Sequence, residues 1–205
     1  MELILISSPV AVPDEMSRLN AYFQMGLKRF HLRKPYYSKE KIEAYLHQVD
    51  PAFYPYLSLH SHHELGEKFG IKRLHYPEHL RQATQPASFE KKLAEGKVLS
   101  TSVHSVENLS KLPAFFSYAL IGPVYPSISK KRYGDPFDPD KWKRIGSSDI
   151  PAVAIGGIES HKIHTINKLG FKGAALLGSI WSVPHDMAMQ HLEDCIHQCK
   201  LSYHE

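Results

Sequence analysis

Apolar residues fall along this chain in short runs of four to eight, and amphipathic stretches separate them. ELILISS (Glu2–Ser8) is a buried-strand pattern, followed by the helical spacing of MSRLNAYFQMG. RFHLRK (Arg29–Lys34) precedes SKEKIEAYLHQVD, where Ser38 is placed to cap and Ile42, Tyr45 and Leu46 share one face. YLSLHS (Tyr56–Ser61) leads into HELGEKFG, and RLHYP (Arg73–Pro77) follows almost at once. A helix around Phe89–Glu95 precedes VLSTSVH (Val98–His104), and VENLSKL comes before FSYALIGPVY (Phe116–Tyr125). DPDKWKRIG supplies the next helical stretch, then PAVAIGG (Pro151–Gly157) and SHKIHTINKLG, with Ser160 as a cap. GAALLGSI (Gly173–Ile180) ends in the amphipathic tail HDMAMQHLEDCIHQCKL.

Strands alternating with helices predict a parallel sheet. Eight such units in 205 residues predict a (β/α)8 TIM barrel, with a doubly wound sheet as the structural alternative. The fourth unit is the weakest, because the helix signal between Pro77 and Lys97 is poor. No low-complexity stretch or composition shift divides the chain, so residues 1–205 read as one barrel domain.

In such a barrel the reactive face lies at the C-terminal ends of the strands. Arg33, Lys34, His60, Ser61, Ser102 and His104 fall there, with Gly122–Lys130, Gly156-Gly157 and Gly178-Ser179 after the last three strands. Glycines between strand and helix let backbone N–H groups approach an anion closely. Their repetition in consecutive units, opposite the hydroxyl-rich and cationic Ser127–Lys130 segment, predicts a phosphate site. Ser127, Ser129 and Lys130 supply two hydroxyls and a point charge to it.

The histidines of LHSHH place His60 and His62 on one side of a strand and His63 past its end. With Glu64 the sole local carboxylate, the expectation is hydrogen-bonded wall residues and no metal site. His31 and His75 read alike, while His104 stands where a general acid or base is useful. Cys195 and Cys199, one helical turn apart, read as packing residues.

Hydrophobic residues make up 42% and charged residues 22%, the balance of a chain with a real core, and no apolar run approaches a membrane span. The N-terminal stretch lacks the basic region of a signal peptide, so a cytoplasmic protein is expected. A net charge of +4 with no Lys/Arg block excludes a typical nucleic-acid binder and suits a small anionic ligand.

Taken together, HLRK, SVHS, YALIGPVYPSISK, IPAVAIGGI and GFKGAALLGSI resemble the thiamine phosphate synthase and thiazole tautomerase family in order and spacing. The resemblance implies a transferase of thiamine biosynthesis. In that reaction a hydroxymethylpyrimidine diphosphate loses pyrophosphate with Mg²⁺ help, and the nitrogen of a thiazole phosphate attacks the resulting cation. It implies that Ser127, Ser129, Gly157 and the Leu177–Gly178 backbone hold the thiazole phosphate. Arg33, Ser102 and Lys130 hold the diphosphate, His31 and His60 line the substrate site, and Arg33, Lys130 and His104 serve catalysis. A homodimer is usual in such families.

The chain departs from the family pattern at informative places. The synthases carry Gln-x-Arg-Glu-Lys after the second strand, where this chain has His31-Leu32-Arg33-Lys34-Pro35; it has His60-Ser61 in place of Asn-Asp. The second metal aspartate has no match in LHYPEHL, although Glu78 lies near. Mg²⁺ is therefore expected to arrive on the substrate diphosphate. A tautomerase-like isomerase, with His104 or another rim histidine as base, and a non-catalytic binder of thiazole or thiamine phosphate are the alternatives. The tautomerase's own histidine position is Pro123 here.

Overall fold

A computed structural model describes residues 1–126 and 136–202. Eight parallel strands close into a barrel in sequence order, with the first strand pairing the last. They are β1 (Glu2–Ile6), β2 (Phe30–Leu32), β3 (Leu57–Leu59), β4 (Arg73–Tyr76), β5 (Val98–Val103), β6 (Tyr118–Ile121), β7 (Ala152–Ile155) and β8 (Gly173–Leu176). Closure rests on Glu2–Leu5 of β1 running in register with Gly173–Leu176 of β8. The barrel, not the doubly wound sheet, is the fold.

The outer layer contains α1 (Glu15–Gln24), α2 (Lys39–Leu46), α3 (Leu65–Lys68), α4 (Glu78–Ala83), α5 (Pro86–Ala94), α6 (Val106–Ser110), α7 (Ile163–Lys168), α8 (Gly178–Trp181) and α9 (His185–Leu201). Ser38 does cap α2, its hydroxyl accepting from the Lys41 N–H at 3.5 Å. Three expectations change. The fourth unit carries two helices, α4 and α5, because Pro86 starts a second helix eight residues beyond Glu78. DPDKWKRIG forms only 3-10 turns, Pro139–Trp142 and Ile145–Ser147, whose Trp142 and Ile145 are buried. Ser160 caps nothing: it lies inside the 3-10 turn Ser160–Lys162 that precedes α7, and neither segment has a side-chain cap.

Strand residues alternate between two environments, as the period-two geometry requires. Phe30 and Leu32, Leu57 and Leu59, Leu74 and Tyr76, and Leu99 and Val103 pack outward into the main core with the helices. The barrel interior has a separate apolar cluster of Ile4, Ile6, Tyr118, Leu120, Val153 and Ala175, drawn from β1 and β6–β8. The alternate positions of β2–β5 are instead His31, Ser58, His75 and Ser100, all buried, with His60 just beyond β3. One half of the interior is thus hydrocarbon and the other is imidazole and hydroxyl.

Cys195 and Cys199 are buried free thiols on α9, packed as expected; burial pushes Cys199 up to about 11 and Cys195 further. Among the described residues no helix is long and apolar enough to cross a membrane.

Candidate active site

A cavity of about 630 Å³ opens at the C-terminal ends of the strands. Its lining draws on both halves of the barrel: Ile6 ends β1 and Ser8 follows it, Arg33 follows β2, Ser102 and His104 belong to β5 and its exit, and Gly122 follows β6. Gly156–Ile158 and Leu177–Ser179 close the far side.

The two glycine turns have different physical grounds. Gly156 and Gly157 both hold positive φ, at 97° and 61°. A Cβ on Gly157 stands 2.3 Å from the Pro126 carbonyl oxygen, and one on Gly156 stands 2.7 Å from Pro123 Cβ. Only glycine admits this conformation together with this contact, so the β7 exit packs directly under the β6 exit. Gly178 instead opens the single turn α8, which follows Leu177. Beside it, Ser179 Oγ is buried in the cavity wall and has no hydrogen-bond partner. The sequence sets Ser179 on the rim beside Gly178, while the family resemblance gives the phosphate to the Leu177–Gly178 backbone and no role to the Ser179 hydroxyl.

Arg33 is held by its backbone: its N–H donates to Ser7 Oγ at 2.8 Å, and Ser7 donates to the Arg33 carbonyl at 2.9 Å. That clamp between the β1 and β2 exits leaves the guanidinium at the cavity. Lys34, grouped with the rim by sequence, turns away and is buried. Its Nζ pairs with Glu15 Oε2 at 2.6 Å and donates to the Val10 carbonyl at 2.9 Å, while Tyr45 donates to Glu15 Oε1 at 3.0 Å. This pair ties α1 and the Val10 loop, which forms part of the cavity wall, to β2.

His104 stands at the mouth, its Nδ1 3.1 Å from the Gly122 carbonyl and its Nε2 3.6 Å from Glu78. His31 and His60 do not line the cavity; they lie in the barrel interior with His75. His31 Nδ1 is 2.9 Å from His60 Nε2, and His31 Nε2 is 2.6 Å from Tyr118 Oη. His75 bonds Ser100 Oγ at 3.0 Å and Ser102 Oγ at 2.8 Å, so Ser102 links the cluster to the cavity. Burial drives all three histidines to lower pKa, His31 to about 3, and the imidazoles are neutral. His60 and His62 do not share a side. His62 adopts φ 51° beyond the strand, within 3.3 Å of the Tyr37 carbonyl. Ser127, Ser129 and Lys130 lie outside the described residues. The rim therefore brings together Arg33, Ser102, His104, Gly157, Leu177 and Gly178.

With this geometry, the profile of the family described as thiamine monophosphate synthase matches residues 3–180. The chain belongs to the thiamine monophosphate synthase family. Thiamine-phosphate synthase from Geobacillus kaustophilus is 31% identical over 113 residues, covering 54% of this chain and 51% of that protein. The one from Caldicellulosiruptor saccharolyticus is 28% identical over 169 residues, covering 79% and 74%. The chain spans about half the length of the first curated relatives it matches. Among solved structures, thiamine phosphate pyrophosphorylase from Bacteroides thetaiotaomicron superposes with a TM-score of 0.80 at 23% identity, covering 98% of both chains. The Pyrococcus furiosus protein of the same name gives 0.78 at 16% identity, covering 98% of this chain and 96% of that one. These superpositions support the barrel, and the family match over residues 3–180 runs through the β6, β7 and β8 exits.

Proposed function

We propose that this protein is a transferase of thiamine biosynthesis. It joins hydroxymethylpyrimidine diphosphate to thiazole phosphate and releases pyrophosphate. The observation that carries this reading is the convergence of Arg33, Ser102 and two strand-exit turns on one cavity that apolar strand residues also line.

In the reaction the bond between the pyrimidine methylene and the diphosphate oxygen breaks, and its electron pair leaves with pyrophosphate. The thiazole nitrogen then gives its lone pair to the methylene cation, and the positive charge ends on the thiazolium. No proton need move. The protein's contribution is electrostatic and steric: cationic and hydroxyl groups for the leaving group, and a dry wall for the cation. Arg33 and Ser102, with Lys130, hold the diphosphate. The Gly157 and Gly178 turns, with Ser127 and Ser129, hold the thiazole phosphate. Ile6, Leu120, Ile155 and Ala175 supply the apolar side.

The described residues do not fit a protein-held Mg²⁺. That hard ion wants several oxygens, carboxylates above all. The exits of β2 and β3 offer Arg33, His60 and Ser61, and Glu78 is engaged by Arg81 at 3.4 Å and faces His104. Mg²⁺ accordingly enters with the substrate diphosphate. A homodimer in the cytoplasm completes the reading.

Incubation with both substrates and Mg²⁺, with pyrophosphate and thiamine phosphate measured, tests it. Stoichiometric formation of both products is expected. Absence of both at every Mg²⁺ concentration overturns it.

A further inference from the structure

The imidazole half of the barrel interior calls for an explanation that the proposed reaction does not give. His31, His60 and His75 come from three consecutive strand units, and each is buried. One ring nitrogen from each lies within 4.8 Å of the others. His60 and His75 stack at 4.0 Å between centroids, and His31 packs against both at 5.0 Å.

Hydrogen bonding leaves this cluster incomplete. His31 uses one nitrogen on His60 and the other on Tyr118, and His75 uses both on Ser100 and Ser102. His60 Nδ1 is buried with no partner. Whichever tautomer His60 takes, one of its two nitrogens faces no complementary group, a cost native interiors rarely carry without a reason.

We propose that His31, His60 and His75 form a site for a borderline-soft divalent transition-metal ion of the Zn²⁺ or Co²⁺ type.

The chemistry of the donor set decides the class. Three neutral imidazoles suit Zn²⁺, Co²⁺, Ni²⁺ or Cu²⁺ and do not suit Mg²⁺ or Ca²⁺, which take oxygen. Burial keeps the rings unprotonated, the form in which imidazole ligates. A tetrahedral ion about 2.0–2.1 Å from each nitrogen sets ligand nitrogens roughly 3.3 Å apart. The cluster reaches that spacing through ring rotations that open the 2.9 Å His31–His60 pair slightly and draw the third nitrogen, within 4.8 Å, inward. Binding replaces the His31–His60 hydrogen bond with two coordinate bonds; His75 gives up one of its two serine bonds to ligate and stays oriented through the other, the usual device by which an outer hydroxyl fixes a ligating ring. Opposing the ion are the positive charges of Arg29, Arg33 and Arg73, which already act on the cluster. The site should therefore be selective by ligand type and of moderate affinity. It stands apart from the proposed synthase reaction, whose Mg²⁺ travels with the diphosphate.

The test uses the metal alone on the full chain. Titration of wild-type protein with Co²⁺ should give visible d–d absorption of a nitrogen-ligated ion, saturating at one equivalent. Zn²⁺ should remove the absorption by competition, and a hundredfold excess of Mg²⁺ should not. Because the chain has 14 histidines, the signal must be located. His60→Gln should abolish the saturable absorption, whereas His197→Gln, on the surface helix α9, should leave it unchanged. A circular dichroism spectrum checks that His60→Gln is folded, and ring-proton NMR of the wild type gives a second readout: three histidine signals should shift together with one equivalent of Zn²⁺. Absence of a saturable one-equivalent signal in the wild type overturns the proposal. So does its full persistence in folded His60→Gln.

Discussion

His31 Nδ1 sits 2.9 Å from His60 Nε2, inside a barrel whose other half is Ile4, Ile6, Leu120 and Val153. Neither ring can take a proton there without placing a charge in a site shut off from water and beside Arg33, Arg73 and Arg29. Tyr118 faces the pair and stays un-ionised, because burial raises its pKa.

Acid should therefore unfold this protein earlier than its carboxylates alone would dictate. In the folded chain burial lowers His31 to about 3, and moves His60 and His75 well down in the same direction. In the unfolded chain each returns to about 6.5. Between those values the unfolded state binds more protons, so stability is full above pH ~6.5 and is lost as pH falls toward 3. Each histidine contributes a slope of up to roughly 1.4 kcal/mol per pH unit. Chemical denaturation from pH 7.5 to 4.5 measures it. A flat profile between pH 6.5 and 5 contradicts the buried neutral cluster.

Gly157 and Gly96 separate strain from collision. Both have positive φ, 61° and 71°, but a Cβ on Gly96 meets nothing within 4 Å while one on Gly157 meets Pro126 O at 2.3 Å. Gly96→Ala should cost about 1 kcal/mol, the price of the left-handed conformation alone. Gly157→Ala should cost about 3 kcal/mol or more and lower affinity for thiazole phosphate at least tenfold, since the β7 exit must move away from the β6 exit. Thermal melts and calorimetric titration of both variants give the comparison.

The fold was legible because every apolar run is short and each is followed by a helical period or room for a short helix, the signal being weakest after the fourth. The sixth unit misled: DPDKWKRIG has helical spacing for Trp142 and Ile145, yet two short 3-10 turns bury the same pair. Rim residues such as Arg33, Ser102 and Gly157 could be placed because strand ends are visible in sequence. The histidine cluster could not be assembled that way. His31 and His75 lie on β2 and β4 and His60 just beyond β3, and only the pairing of these strands brings the three within reach of one another. Lys34 likewise reads as a rim cation until its partner Glu15, nineteen residues earlier, is seen beside it.

That Lys34–Glu15 pair gives a stability test. Removing only the cation with Lys34→Met leaves a buried carboxylate whose remaining partner is the Tyr45 hydroxyl, and should cost about 3–5 kcal/mol. Lys34→Met combined with Glu15→Gln removes both charges and should recover much of that loss. A urea double-mutant cycle reads the coupling, and additive losses contradict a direct interaction.

Arg33 is clamped through its backbone by Ser7, so truncating its side chain should leave the fold intact. Arg33→Ala should weaken diphosphate binding by roughly 1.5–3 kcal/mol, the range for a charge-assisted hydrogen bond. Lys130→Ala, in the segment outside the described residues, should do the same. Equal affinities for wild type and both variants place the diphosphate elsewhere.

Ser179 separates the demands of stability from those of binding. Its hydroxyl is buried in the cavity wall next to Gly178 and is bonded to nothing, so in the free protein it is a cost. Ser179→Ala removes that unpaired group and only one atom of volume; the variant should be as stable as wild type or up to about 1 kcal/mol more so. If the hydroxyl is kept for a phosphoryl oxygen, the same substitution should weaken thiazole phosphate binding by about 1–2 kcal/mol, a loss of roughly tenfold. Binding of the unphosphorylated thiazole alcohol should not change, because no anion reaches the Gly178 turn. Thermal melts of the free variant and parallel titrations with the two thiazoles read all three quantities. A variant that loses stability, or that loses affinity equally for both thiazoles, shows that Ser179 supports the packing of the wall and not the phosphate.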